Sequence, residues 1–229
     1  MAKKEKKLRG REIERQKREA KKREKRRGWI LSGGAFFLVI GAIAIFTFAS
    51  RPPELTAAEL DFVSAAIIDG PADAPIQIIE YGDFGCPACR QWHRLGIKDQ
   101  IQAIYGDQVA FHFHHFPVIT PQSPKAAEAS MCAAEQGKFW EYHDFVYDLG
   151  DGLSVAQLES YATSVQLDGG QFSTCLDSGK YQEYVSDDLR AARASGARGT
   201  PAFFINGQMV ANPSFEMMAG VIRQQLEES

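Results

Sequence analysis

Cys86-Pro87-Ala88-Cys89 puts two thiols between an apolar run, Ile76 to Tyr81, and a segment predicted to be helical over Arg90 to Tyr105. Two cysteines at the first turn of a helix can close a disulfide, and the orphan N–H groups and positive dipole end there stabilise a thiolate. Pro87 suits a first helical position, because its φ is already helical and its missing N–H would have found no partner. The chemistry is therefore thiol–disulfide exchange. A zinc half-site is the competing use of C-x-x-C, but it needs a second pair of similar spacing or nearby histidine ligands. The other two cysteines, Cys132 and Cys175, are too far apart in sequence to form one.

Glu80 precedes Cys86 by six residues, in a run whose two-residue alternation and apolar neighbours would bury its side chain beneath the sulfurs. A buried carboxylate there is a candidate proton acceptor; the plain alternative is a surface glutamate at a strand end. Far downstream, the stretch from Gly199 through Thr200-Pro201 to Asn206-Gly207 reads as a loop, a proline, an apolar strand and a hairpin turn. Proline just ahead of a strand is a credible cis peptide, since X–Pro is the one bond where cis is cheap.

Taken in order, the strand with Glu80, Asp83-Phe84-x-Cys86-Pro87-x-Cys89, His115-Phe116-Pro117, a helical insert and Gly199-Thr200-Pro201 resemble the DsbA-like group of thioredoxin-fold oxidoreductases. The likeness covers roughly Ile67 to Leu226. It implies Cys86 as nucleophile, Cys89 as resolving thiol, Glu80 as buried proton shuttle, and Thr200-Pro201 as a cis-proline loop facing the sulfurs. It also implies that the dipeptide Pro87-Ala88 tunes the redox potential. No metal and no cofactor are expected.

The elements that must position these residues can be placed from pattern. Strands are expected near Ala65–Ile68, Ile76–Tyr81, Val109–Phe113, Ala202–Ile205 and Gln208–Val210. Helical stripes run through Ser123 to Gln136, with Ser123 as N-cap, through Phe139 to Leu149, from the cap Ser154 to Tyr161, through Tyr181 to Leu189, and from the cap Ser214 to Leu226. The expected fold is one α/β domain over 65–229, thioredoxin-like, with a helical insert at about 120–195 and ample length for its own core.

Charge divides the chain. Residues 1–27 hold fifteen Lys or Arg against five Glu, net +10, and the rest of the chain is net −13. From Gly28 to Ser50 no residue is charged, a length sufficient for a helix to cross a hydrocarbon core of roughly 30 Å. Basic residues on its N-terminal side alone orient that expected transmembrane anchor, 28–50, with a basic tail (1–27) in the cytoplasm and the catalytic domain outside. Residues 51–64 read as a linker. A cleaved signal after Thr47-Phe48-Ala49 is the alternative. The basic tail could bind phosphates, but no aromatic residue interleaves and the adjoining span makes lipid headgroups the simpler partner; nucleic acid is not expected.

An oxidising location favours a structural disulfide between Cys132 and Cys175, although four cysteines allow three pairings and two buried free thiols are also possible. His112 and His114 share a strand face but have no Cys, Asp or Glu in the same short element to complete a metal site, so they are expected to be paired or exposed. Three functions remain open: a membrane-tethered oxidase that introduces disulfides into unfolded exported proteins and is reoxidised by a membrane partner; a reductase or isomerase; and a chaperone-like binding module with structural sulfurs.

Overall fold

The computed structural model describes residues 15, 17–19, 21–23, 53 and 55–228, which fall into two units, one within Met1–Arg51 and one within Pro52–Ser229. In the first, the described residues are helical and Arg15 pairs with Glu19 at 3.3 Å on an exposed surface. The expected anchor, 28–50, lies outside the described residues; among those that are described, no helix is long and apolar enough to cross a membrane.

The second unit is built on a mixed five-stranded sheet in the order β1-β3-β2-β4-β5. Its strands are β1 (Ile68–Asp69), β2 (Ile76–Gly82), β3 (Val109–His115), β4 (Ala202–Ile205) and β5 (Gln208–Val210). β2 and β3 run parallel at the centre; β1 is antiparallel to β3, β4 to β2 and β5 to β4. The β4–β5 turn is Asn206-Gly207, both with positive φ (45° and 83°) as a tight hairpin turn demands. Asn206 Oδ1 also accepts from the Gln77 N–H at 2.8 Å, which fixes the hairpin to the central strand.

Among the described residues of the second unit, nine α-helices surround this sheet: α1 (Ala57–Ala66), α2 (Pro87–Arg94), α3 (Ile97–Tyr105), α4 (Ser123–Ala134), α5 (Phe139–Leu149), α6 (Val155–Ser164), α7 (Gly169–Ser178), α8 (Gln182–Ala194) and α9 (Phe215–Glu227). Ile76, Ile78, Val109, Phe111, Phe203 and Ile205 point to one face, where Ile97 and Ile101 of α3 and Met218 and Ile222 of α9 cover them. The other face carries Tyr81 and Phe204 against Ala192 of α8. Helices α4 to α7 build a separate apolar layer that reaches Phe84, Phe113 and both Cys86 and Cys89.

Three expectations differ from what forms. The segment drawn as a linker and then a strand from Ala65 is helical from Ala57 to Ala66, and pairing begins only at Ile68. Thr56 and Glu59 make a reciprocal capping box, and Val63 is buried, so helix wins over strand there. The helix expected over Arg90–Tyr105 is two helices, because Gly96 adopts φ +61° and its N–H bonds back to the His93 carbonyl at 2.8 Å. Ser123 is the first residue of α4 rather than its N-cap: its hydroxyl is engaged with Thr120, and Gln122 holds the cap position. The caps of α6 (Ser154, with Gln157) and α9 (Ser214) are as the sequence predicts.

Cys132 of α4 and Cys175 of α7 form a disulfide. Closing a loop of this length removes unfolded-chain entropy equivalent to about 4 kcal/mol. Replacing both cysteines by serine should therefore lower the melting temperature by about 10 °C, measured calorimetrically, while the reactivity of Cys86 stays unchanged; a parallel loss of that reactivity in folded protein would tie the second pair to the first.

Candidate active site

The site begins where β2 ends. After Gly82 the chain turns through Asp83 to Cys86, and the turn is fastened by the Asp83 carboxylate: Oδ1 accepts from the Gly85 N–H at 2.7 Å, and Oδ2 from the Val118 and Ile119 N–H groups, both at 2.8 Å. The Cys86 N–H donates to the Asp83 carbonyl at 2.9 Å. Gly82 has no room for a side chain, since a Cβ would stand 2.4 Å from the Phe113 ring. Cys86 is then the N-cap of α2 with Pro87 in the first turn, and its sulfur accepts from the Cys89 N–H at 3.5 Å.

Both sulfurs are free thiols, and their surroundings differ. Cys86 is pulled down to about 5 by the Cys89 thiol first, with the Thr200 side chain and the Cys89 and Ala88 N–H groups adding to the effect against the opposing cost of burial. In the thiol form Cys86 Sγ reaches the Thr200 carbonyl at 3.2 Å, and the Thr200–Pro201 bond is cis, so the distant loop does lie against this sulfur. Cys89, fully buried one turn into α2, is pushed far above its ordinary value by burial, and further by its bond to Cys86 and the Glu80 charge.

Glu80 is raised to about 8, chiefly by burial, with Lys98 pulling down and Cys86 pushing up. The sheet register supplies the cause: Glu80 pairs across to Phe113 on β3 and to Phe203 on β4, both fully buried, so the carboxyl is flanked by aromatic residues on each side. Lys98 of α3 is itself held in an ion pair with Asp69.

Cys86 opens into a cleft of about 430 Å³ walled by Phe84, Gly85, Pro87 and Arg90 on one side and by Thr120, Gln122, Asp151, Gly152 and Leu153 on the other. Cys132 and Cys175 are not among its walls. Ala88 lies between the two cysteines and gives only its N–H to the sulfur. His112 and His114 share the opposite face of the sheet: His112 contacts Gln77, and His114 Nδ1 meets Asp188 Oδ1 of α8 at 2.8 Å. Asp188 Oδ2 also accepts from the His115 N–H at 2.8 Å, while the His115 imidazole is depressed to about 4 by burial and stays neutral.

Asp83, Lys98, Tyr147 and Asp188 received no role from sequence. Only Asp83 left a local signal, an Asx turn onto Gly85 two residues on. Tyr147 of α5 brings a buried hydroxyl without a partner up to Gly82, 3.2 Å from where a Cβ would be; nothing near it in sequence foretells that.

A family model described as thioredoxin matches residues 64–224. Among curated proteins, the Na(+)/H(+) antiporter NhaA of Herminiimonas arsenicoxydans is 37% identical over 186 residues, covering 78% of this chain and 29% of that protein. Antiporter NhaA 1 of Mycolicibacterium vanbaalenii is 37% identical over 144 residues, 61% of this chain and 23% of that one. The chain thus spans less than a third of the length of these relatives. Among solved structures, oxidised BdbD from Bacillus subtilis aligns with a TM-score of 0.64 and 23% identity over 70% of this chain and 92% of its own. Alpha-DsbA1 of Wolbachia pipientis gives 0.63 and 23%, over 71% and 91%. A thioredoxin-like oxidoreductase from Silicibacter pomeroyi gives 0.62 and 19%, over 76% and 99%. These likenesses establish the fold.

In reduced protein, alkylation should mark Cys86 with a midpoint at pH about 5 and leave Cys89 unmarked until unfolding; mass spectrometry of the labelled peptide reads this, and first labelling of Cys89 would reverse the assignment. Asp83→Ala strips a charged acceptor from three backbone donors and should cost at least about 2 kcal/mol in urea unfolding.

Proposed function

We propose that this chain, which belongs to the thioredoxin family through its match over residues 64–224, is a membrane-tethered thiol–disulfide oxidoreductase that introduces disulfides into unfolded exported proteins. The observation that carries the reading is the asymmetry of the sulfurs: a Cys86 thiolate stabilised at the mouth of a cleft, and a buried Cys89 above a carboxyl that is largely protonated at neutral pH. A stabilised thiolate favours the dithiol form over the disulfide, which makes the disulfide an oxidant. The sign follows directly. A folded pKa near 5 against an ordinary 9.0 stabilises the reduced folded state; that gain is complete above about pH 9 and is lost as pH falls through 5.

In the proposed cycle a substrate thiolate attacks Cys86 Sγ of the Cys86–Cys89 disulfide. The S–S bond breaks, Cys89 leaves as a thiolate and takes the proton of Glu80, and a mixed disulfide joins Cys86 to substrate. A second substrate thiolate then attacks its own sulfur in that bond, releasing oxidised substrate and the Cys86 thiolate. Two electrons have passed to the pair, so an oxidising partner must remove them, and Glu80 as a carboxylate accepts the Cys89 proton in that return step. Thr200, with its backbone beside Cys86, suits an extended substrate strand.

The tether is supported by the uncharged run Gly28 to Ser50 and the basic residues before it, a charge pattern that favours a domain outside the cytoplasm, where a membrane protein would be the reoxidising partner. Ion antiport is not carried over from the curated relatives, because the chain spans so little of them.

Equilibration with glutathione should give a reduction potential above about −180 mV; a value below about −230 mV would make the chain a reductase. Glu80→Gln should slow substrate oxidation roughly 10-fold or more and abolish an inflection near pH 8, assayed with a substrate thiol that titrates well below that window. An unchanged pH profile would remove Glu80 from the cycle.

A further inference from the structure

A second group of reactive side chains lies between α2 and α5, beginning one helical turn beyond Cys89. His93, in the last turn of α2, His143 and Asp144 each offer one ligand atom, and these atoms lie within 4.8 Å of one another. His143 Nδ1 and Asp144 Oδ1 are 2.8 Å apart, and Asp148, one turn along α5 from Asp144, brings a carboxylate oxygen to 3.4 Å from His93 Nε2. We infer that His93, His143 and Asp144 form a site for a zinc ion, with Asp148 or water as the fourth ligand.

The donor set decides the class. Two imidazoles with one or two carboxylates suit Zn²⁺ and its transition-metal neighbours, whereas Ca²⁺ and Mg²⁺ prefer all-oxygen shells. Tetrahedral zinc with bonds of about 2.0–2.2 Å holds its ligands roughly 3.3–3.6 Å apart. The 3.4 Å pair of His93 and Asp148 already has that spacing, the 2.8 Å pair of His143 and Asp144 must open by about 0.5 Å, and the widest separation must close by about 1 Å.

His143 is the fixed ligand. Its ring is buried and stands edge-to-face against Phe113 at 4.7 Å and Tyr147 at 4.8 Å between centroids, so its orientation is set by packing. Its Nε2 has no hydrogen-bond partner. In the neutral ring the single proton bonds Nδ1 to Asp144; on metal binding it moves to Nε2, among those rings, and leaves the Nδ1 lone pair for the metal. Asp144, Asp148 and His93 are partly exposed, which gives the ion a path in. The opposing cation is Lys98, whose charge reaches His143 and Asp144, but it is bound to Asp69 and lies over the Trp140 ring at 4.3 Å from the centroid.

Such an ion would bridge the helix that carries Cys86 and Cys89 to the helical insert. The test uses the full chain without an affinity tag, oxidised so that Cys86 and Cys89 are closed in a disulfide and cannot bind metal. Zn²⁺ is titrated calorimetrically, and Co²⁺ serves as a spectroscopic stand-in. One equivalent should bind, with tetrahedral Co²⁺ bands and no sulfur charge-transfer band, and a hundredfold excess of Zn²⁺ over its Kd should raise the melting temperature by about 5–10 °C. His93→Gln and Asp144→Asn, which alter partly exposed groups, should each weaken binding at least 10-fold while circular dichroism stays native. Absence of binding to the oxidised chain, or binding that neither variant weakens, overturns the site. The reduction potential of the same samples reads the sulfur chemistry separately.

Discussion

The Asp83 carboxylate is the fastening on which the sulfur site depends. It takes N–H groups from the turn that delivers Cys86 and from the segment after β3, and so joins the two central strands beyond the point where their ladder ends. A β2 that simply ran on would carry Cys86 along the sheet. Instead the chain reverses within four residues, Cys86 becomes the cap of α2, and the first backbone donors of that helix face its sulfur. The same fastening places Thr120 and Gln122 on the far side of the cleft.

From that turn the electrostatics of the site follow. One residue of the pair sits at a helix end with donors around it, and the other is one turn deeper, where no water reaches it. Burial penalises charge at all three groups: it prevails at Cys89 and Glu80, while at Cys86 the local hydrogen bonds outweigh it. Glu80 owes its protonated state to register. A shift of one residue would turn it to the other face of the sheet and put Gln77, Ile79 and Tyr81 where Ile76, Ile78 and Glu80 now lie.

The helical layer has two tasks. It buries the Phe84 and Phe113 rings behind the sulfurs, and through the α5–α6 connection it supplies one wall of the cleft. The Cys132–Cys175 disulfide ties α4 to α7 within that layer. Arg90 of α2 donates to the Gly150 carbonyl and Arg94 to that of Asp148, so α2 is held to the end of α5 by side chain to backbone bonds as well as by packing.

Sequence alone determined the features whose causes are local. Pro87 between two cysteines, the caps Ser154 and Ser214, the Asn206-Gly207 turn and the alternation of β2 all announce themselves within a few residues, and they place the strands and the reactive pair. Thr56 and Glu59 are equally local, yet residues 51–64 read as a linker and Ala65 as the start of a strand, and the reciprocal capping box came to light only in the structure. The break at Gly96 was legible only as a glycine within a helical pattern. Other features were decided by tertiary structure, because they join residues remote in sequence. Phe203 comes from more than a hundred positions downstream to flank Glu80, Asp188 reaches back from α8 to His114 and His115, Asp83 anchors Val118 and Ile119, and His93 meets Asp144 only where two helices pack. Periodicity shows that a side chain is buried, but the partner it is buried against depends on chain crossing, and that sets the charge a buried acid or thiol can hold.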